Sequence, residues 1–91
     1  MTKTLSYRRV GEWTLHSDHA YAEPFVDVVV DAIFTSPGGE TYSMPAFYDG
    51  EGTWRVRFCP GEAGTWHMRT ASRPRDPALE ERTTFEVTPG P

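Results

Sequence analysis

Apolar and polar residues alternate along much of this chain, in short runs separated by glycine and proline. The clearest run covers residues 26–36, where every second position from Val26 to Phe34 is apolar and the positions between include Asp27 and Asp31. A period of two residues is typical of a β-strand with one buried face. We therefore predict a strand here whose even-numbered side chains face the core.

Five further segments show strand signals, with turn residues between them. They are residues 11–17, 40–47, 53–59, 66–69 and 83–88. The residues expected in the core are Val28, Val30, Phe34, Trp54, Val56, Phe58, Trp66, Met68 and Phe85. Residues 77–82 could form one turn of helix, but the surrounding prolines favour a loop. The pattern predicts an all-β, immunoglobulin-like β-sandwich of about six to seven antiparallel strands in two sheets.

At 91 residues the chain has room for one domain with one core. We expect residues 1–9 to be disordered or loosely attached, residues 10–88 to form the sandwich, and residues 89–91 to begin a linker. The first ten residues lack the apolar stretch of a signal peptide. The cellular location stays open.

The composition and charge of the chain limit the classes of partner that we expect. The net charge is −4 and the nine basic residues are scattered, so we expect no nucleic-acid partner. No apolar run has the length of a membrane span, so we expect no membrane partner. Cys59 is the only cysteine, which excludes an internal disulfide, and the chain contains neither Asn nor Gln to bind sugar hydroxyls.

Candidate chemistry is sparse. His16, Asp18 and His19 could contribute to a metal site, but a closed site needs about four ligands, and a solvated turn is the favoured interpretation. Asp49 and Glu51 stand beside glycines without the ligand series of a calcium loop, so a turn is again favoured. We therefore predict no catalytic residue, no metal and no cofactor in this chain.

The aromatic residues are the remaining candidates for contacts. Trp54 and Trp66 are in phase with inward-facing residues, and core positions are favoured for both. Trp13 is in phase with Leu15, which also favours the core. Flat aromatic side chains nevertheless stack on sugars and pack at interfaces. The candidate ligand or interface contacts are Trp13, Tyr21, Tyr48 and Asp49.

Two long motifs carry a family resemblance. The segments PFVDVVVDAIFTSPGG and AFYDGEGTWRVRFCPGEAGTWHMRT resemble the N-terminal immunoglobulin-like domain of a group of bacterial glycoside hydrolases. That group includes apiosidase-like enzymes and proteins that carry a collagen-binding label. The resemblance covers residues 12–87. Glu23 precedes the Pro-Phe pair where most relatives have Asn, which puts any contact made by that amide in doubt.

The resemblance implies a role outside catalysis. In these proteins the domain precedes a (β/α)₈ barrel that carries the catalytic groups, so the expected partner is a C-terminal catalytic barrel and no catalytic residue is carried over. The expected function is a non-catalytic accessory module that packs on such a barrel. A carbohydrate-binding module with its own polysaccharide affinity is one alternative. A protein-adhesion module for collagen-like partners is another.

The strand order of such a sandwich also predicts a charge pairing. Asp27 and Asp31 are expected on the outer face of one strand, opposite Arg55 and Arg57 on a neighbouring strand. Four independent, solvated charges are the alternative.

Overall fold

Eight strands and one short helix form the described part of the chain, which comprises residues 3–6, 10–23 and 27–89 of a computed structural model. The strands are β1 (Lys3–Ser6), β2 (Gly11–His16), β3 (Val29–Thr35), β4 (Thr41–Pro45), β5 (Phe47–Tyr48), β6 (Thr53–Phe58), β7 (Gly64–Arg73) and β8 (Arg82–Thr88). A 3₁₀ helix, Pro77–Leu79, lies between β7 and β8. The sequence favoured a loop over one helical turn for residues 77–82, whereas the structure has one turn of helix at residues 77–79.

The strands form two sheets. A five-stranded sheet has the order β1-β8-β7-β3-β4, and a three-stranded sheet has the order β2-β6-β5. All pairs are antiparallel except β1 with β8. The predicted sandwich is confirmed. Residues 3–6 pair in parallel with β8, which makes use of hydrogen-bonding groups that an edge strand leaves free. The expected domain bounds stay a prediction.

The core lies between the sheets and follows the predicted alternation. The buried apolar residues include Val28, Val30, Phe34, Trp54, Val56, Trp66, Met68 and Phe85, all predicted. Val26, the first position of the predicted inward face, lies outside the described residues. Trp13 and Leu15 on β2 are also buried, and the Trp13 ring packs between Phe34 (5.1 Å between centroids) and Phe85 (4.9 Å).

Phe58 is the exception among the predicted core residues, because it is only partly buried. It is the last residue of β6, where the three-stranded sheet ends. One face of its ring stacks on Phe34 at 4.2 Å, while Tyr42 approaches at 5.8 Å. The end of the strand therefore leaves part of the ring open, although its alternation phase is inward.

The predicted charge pairing across neighbouring strands is wrong. β3, which carries Asp31, belongs to the five-stranded sheet, whereas β6 carries Arg55 and Arg57 in the three-stranded sheet. Asp31 and the two arginines therefore lie on opposite outer surfaces of the sandwich. Asp27 precedes β3, and its carboxylate accepts a hydrogen bond from the Glu23 amide at 2.9 Å. Arg57 instead lies opposite Glu12 of β2, and its Nε donates to the Glu12 carboxylate at 2.7 Å.

Different segments of the chain meet at the two ends of the sandwich. One end holds the turn at residues 36–40 and the end of β8, because Val87 lies opposite Gly64 and Thr35 opposite His67. The other end, called the distal pole, holds residues 17–23, the turn at 49–52 and the segment 74–81.

In the part of the chain that the structure describes, no helix has both the length and the apolar character of a membrane span.

Candidate functional site

A pocket of about 300 Å³ opens at the distal pole. Residues 16–21 form one wall, and Tyr48, Glu51, Gly52 and Trp54 form the other. Two candidate contacts, Tyr21 and Tyr48, are thus brought together although 27 positions separate them in the sequence. This distal pocket is the place where the predicted polar and aromatic residues converge.

Gly52 sets the shape of the pocket. Its φ of 71° lies in the left-handed region, and a Cβ atom there would come within 2.5 Å of the Ser17 carbonyl oxygen. The Gly52 carbonyl accepts a hydrogen bond from the Ser17 amide at 2.9 Å, and the Gly52 amide donates to the Tyr48 hydroxyl at 2.9 Å. Glycine therefore lets the turn approach the segment that follows β2 and fixes the Tyr48 ring.

Asp76 connects the segments of the distal pole through hydrogen bonds. Its Oδ2 accepts hydrogen bonds from the hydroxyls of Ser17 (2.6 Å) and Tyr21 (2.7 Å), and its Oδ1 caps the 3₁₀ helix through the Ala78 amide (3.0 Å). The hydrogen bonds from Ser17 and Tyr21 hold the pKa of this carboxyl below its usual range, against the opposing effect of burial.

The same contact acts in the opposite direction on Tyr21. Its hydrogen bond to the Asp76 carboxylate, together with burial, raises the pKa of the hydroxyl to about 12. The ring lies edge-on to Trp54 (6.2 Å) and against His19 (4.4 Å). The half-buried Tyr21 side chain therefore contacts both the core, at Trp54, and the pocket wall, at His19.

The two histidines of the distal pole have different partners. His16 Nε2 lies 2.9 Å from the Asp18 carboxylate, while His19 packs on Tyr21. Within residues 10–23 and 27–89, no three His, Cys, Asp or Glu side chains are gathered where they could hold an ion.

Asp49 lies outside the distal pocket and is engaged by Arg55. The Arg55 Nε donates to its carboxylate at 2.5 Å, and Arg55 Nη1 also reaches Glu12 at 3.4 Å. The Asp49 amide and the Thr53 carbonyl close the turn at 2.8 Å. Asp49 therefore anchors a turn and a row of charges on the outer face of the three-stranded sheet.

An apolar groove adjoins the distal pocket at the edge of the sandwich. It has a volume of about 300 Å³ and is lined by Val29, Pro45, Ala46, Phe47 and Tyr48, with Trp54 beneath. Val29 and Phe47 are 45% and 42% exposed. β5 has only two residues, so the edge of the three-stranded sheet is short here and leaves the groove open. We call this surface the edge groove.

Of the four candidate contacts, Trp13 and Asp49 lie apart from both surfaces. Trp13 is 9% exposed and packed in the core, so its indole cannot serve as a surface platform. Sequence reasoning did not single out Phe47, Ser17 or Asp76. For Asp76 a signal existed, because Asp directly before Pro is a typical start of a helical turn.

The Asp76 carboxyl accepts its hydrogen bonds from within the domain, and these bonds lower its pKa. The arrangement therefore holds residues 17–21 and the 3₁₀ helix together.

Comparison with known proteins places this chain in a family. The family model described as a domain of unknown function, DUF5060, matches residues 5–73. The chain belongs to the DUF5060 family. This DUF5060 domain has no match among the curated proteins.

Two solved structures show what the DUF5060 domain is similar to. A protein from Bacteroides vulgatus ATCC 8482, named as a putative glycoside hydrolase, matches 99% of this chain at 27% identity with a TM-score of 0.80. The chain spans only 17% of that protein's length. The Lin-41 filamin domain matches 93% of the chain and 82% of its own length at 17% identity, with a TM-score of 0.69, and supports the immunoglobulin-like fold alone.

Proposed function

We propose that this DUF5060 domain is a non-catalytic accessory module that precedes and packs on a (β/α)₈ catalytic barrel of the glycoside hydrolase type. One observation carries the proposal. Almost the whole chain matches a segment that makes up 17% of a protein named as a putative glycoside hydrolase, so most of that protein lies outside the matched segment. A domain in that position can shape or shield its neighbour without carrying catalytic groups.

The edge groove is the surface best suited to that contact. Val29 and Phe47 present apolar area that the domain itself does not cover, and Arg57 lies over the Phe47 ring at 5.3 Å, giving the groove a polar rim. Interfaces between domains of one chain combine an apolar centre with polar edges. The neighbouring catalytic domain is the occupant that we assign to the groove.

A carbohydrate-binding module is the second candidate, and the distal pocket is the observation that favours it. Tyr21, Tyr48 and Trp54 line that pocket together. However, Trp54 is buried, and the Tyr48 hydroxyl accepts a hydrogen bond from Gly52. The flat, exposed aromatic surface on which a sugar ring stacks is therefore small, which favours the accessory role.

Two assays on the 91-residue chain separate these functions. We expect no hydrolysis of a panel of aryl glycosides, and little or no retention on insoluble polysaccharides. Release of the aryl group by the purified chain would refute the non-catalytic role. Retention at micromolar affinity that is lost in Tyr21→Ala or Tyr48→Ala, but kept in the exposed control Val10→Ala, would establish the carbohydrate-binding module instead.

A further inference from the structure

The outer face of the five-stranded sheet carries a third depression, separate from the distal pocket and the edge groove. Its volume is about 460 Å³, and strands β3, β7 and β8 form it. The residues that line it are Thr35, His67, Met68, Arg69, Arg82, Thr83 and Thr84. We call it the cationic cavity. Its volume falls in the range of about 300–1,000 Å³ that is typical of small-molecule sites.

Two arginines face each other directly across strands in this cavity. Arg69 of β7 and Arg82 of β8 are partners in the antiparallel register, and both side chains are exposed. Like charges directly opposite each other in a sheet repel and are destabilising. The pair is a local electrostatic cost within a domain whose net charge is −4.

Within residues 10–23 and 27–89, no carboxylate forms an ion pair with Arg69 or Arg82. All thirteen acidic residues lie within residues 10–23 and 27–89, and the arginines in ion pairs there are Arg55, Arg57 and Arg75. Asp31, on the outer face of β3 opposite Ala71, forms no ion pair with Arg69 in the described structure.

Glu86 is the outward-facing carboxylate of β8, and its Oε1 accepts a hydrogen bond from the Thr65 hydroxyl. Glu86 lies four residues from Arg82 along the strand, which corresponds to roughly 13 Å. In the described part of the chain, neither guanidinium group of the cavity therefore forms an ion pair with a carboxylate.

We propose that the cationic cavity binds the oxyanion group of a small soluble ligand, a carboxylate, sulfate or phosphate, between Arg69 and Arg82. The planar guanidinium fork matches the oxygens of such groups, and hydrogen bonds between them are strengthened by charge. The hydroxyls of Thr35 and Thr84 and the imidazole of His67 lie around the arginines and add neutral partners for the rest of the ligand. A bound oxyanion would also neutralise the cross-strand repulsion. This binding does not depend on the accessory role.

The test is a nuclear magnetic resonance titration of the isotopically labelled 91-residue chain. Sodium galacturonate, sodium sulfate and sodium phosphate are added separately, with sodium chloride at matched ionic strength and neutral galactose as references. We expect saturable shifts of the backbone amides around Arg69 and Arg82 with at least one oxyanion. Arg69→Gln or Arg82→Gln should weaken that binding about tenfold or more. Amide shifts are measured because sulfate raises the thermal stability of folded proteins in general.

Arg73→Gln is the matched control. Arg73 is exposed on the same face of the same strand, but it lies four residues from Arg69, roughly 13 Å away, and outside the cavity lining. Its variant should bind the oxyanion as the parent does. The oxyanion that binds with the highest affinity shows whether the ligand is a sugar acid or an inorganic ion. The proposal is overturned if no oxyanion exceeds chloride, or if Arg73→Gln weakens binding as much as Arg69→Gln.

Discussion

The Ser17 hydroxyl donates a 2.6 Å hydrogen bond to the carboxylate of Asp76, 59 positions further along the chain. Ser17 follows β2 of the three-stranded sheet, whereas Asp76 follows β7 of the five-stranded sheet. The bond therefore joins the two sheets at the distal pole. Tyr21 donates to the same carboxylate oxygen at 2.7 Å, and the two donors lower the pKa of the Asp76 carboxyl.

Asp76→Asn should lower the free energy of unfolding by about 1–3 kcal/mol at pH 7, because an amide cannot accept both hydrogen bonds equally well. The Asp76 pKa is lower in the folded state than in the unfolded state. Its contribution is therefore complete above the unfolded value of about 4 and is lost as the pH falls towards the folded value. Urea denaturation at several pH values should show the difference from the parent shrinking in acid.

Asp18→Asn is the control for this charge removal. The Asp18 side chain is 99% exposed, so its variant should unfold within about 0.5 kcal/mol of the parent at pH 7. Equal stability of Asp76→Asn and the parent at pH 7, or a difference that does not change with pH, would contradict the role of the Asp76 carboxylate.

Gly52→Ala tests the close approach that shapes the distal pocket. The added Cβ would meet the Ser17 carbonyl oxygen at 2.5 Å. Gly39→Ala is matched, since Gly39 also has a positive φ (91°) but nothing lies within 4 Å of its Cβ position. Left-handed strain alone costs roughly 1–2 kcal/mol. Thermal unfolding should show Gly52→Ala as clearly less stable than Gly39→Ala, and equal losses would mean that the contact is relieved by a small shift.

Trp66→Ala tests the core. Trp66 is 1% exposed and stacks against Phe85 at 6.1 Å between ring centroids. Truncation of a buried aromatic costs about 3–5 kcal/mol, a large part of the roughly 5–15 kcal/mol that stabilises a domain. Phe47→Ala, at a position 42% exposed, should cost much less. A melting temperature of Trp66→Ala within a few degrees of the parent would place Trp66 outside the core.

The ion pair between Glu12 and Arg57 tests the strand pairing. The 2.7 Å contact lowers the pKa of the Glu12 carboxyl, chiefly through the hydrogen bond from Arg57. A double-mutant cycle on this pair should give a small favourable coupling at neutral pH, which decreases with salt and disappears in acid. The cycle on Asp31 and Arg57 should give none, because the two lie in different sheets. The reverse result would restore the pairing predicted from the sequence.

The sequence predicts the parts of this structure that depend on local pattern. Alternation identified Val30, Phe34 and Trp66 as buried because the strand period alone decides which face a side chain occupies. It did not predict that Arg57 pairs with Glu12, since partner strands are chosen by packing of the whole domain. The sequence also indicates Tyr21 and Tyr48 as candidate contacts. It does not predict that both line one pocket, or that Tyr21 and Ser17 bind Asp76, because these contacts depend on the packing of the whole domain.

The accessory role is tested most directly by thermal unfolding of this domain within the longer protein that we propose, compared with the 91-residue chain. Docking on a catalytic neighbour should raise the unfolding temperature by several degrees, because about 1 kcal/mol of added stability corresponds to about 4–8 °C in a domain of this size. Phe47→Asp in the edge groove should return the domain to the temperature of the isolated chain. Val10→Asp should not, because Val10 is exposed next to β2, on the opposite side of β6 from Phe47. Identical unfolding temperatures in both contexts, or a gene without a catalytic neighbour, would contradict the account.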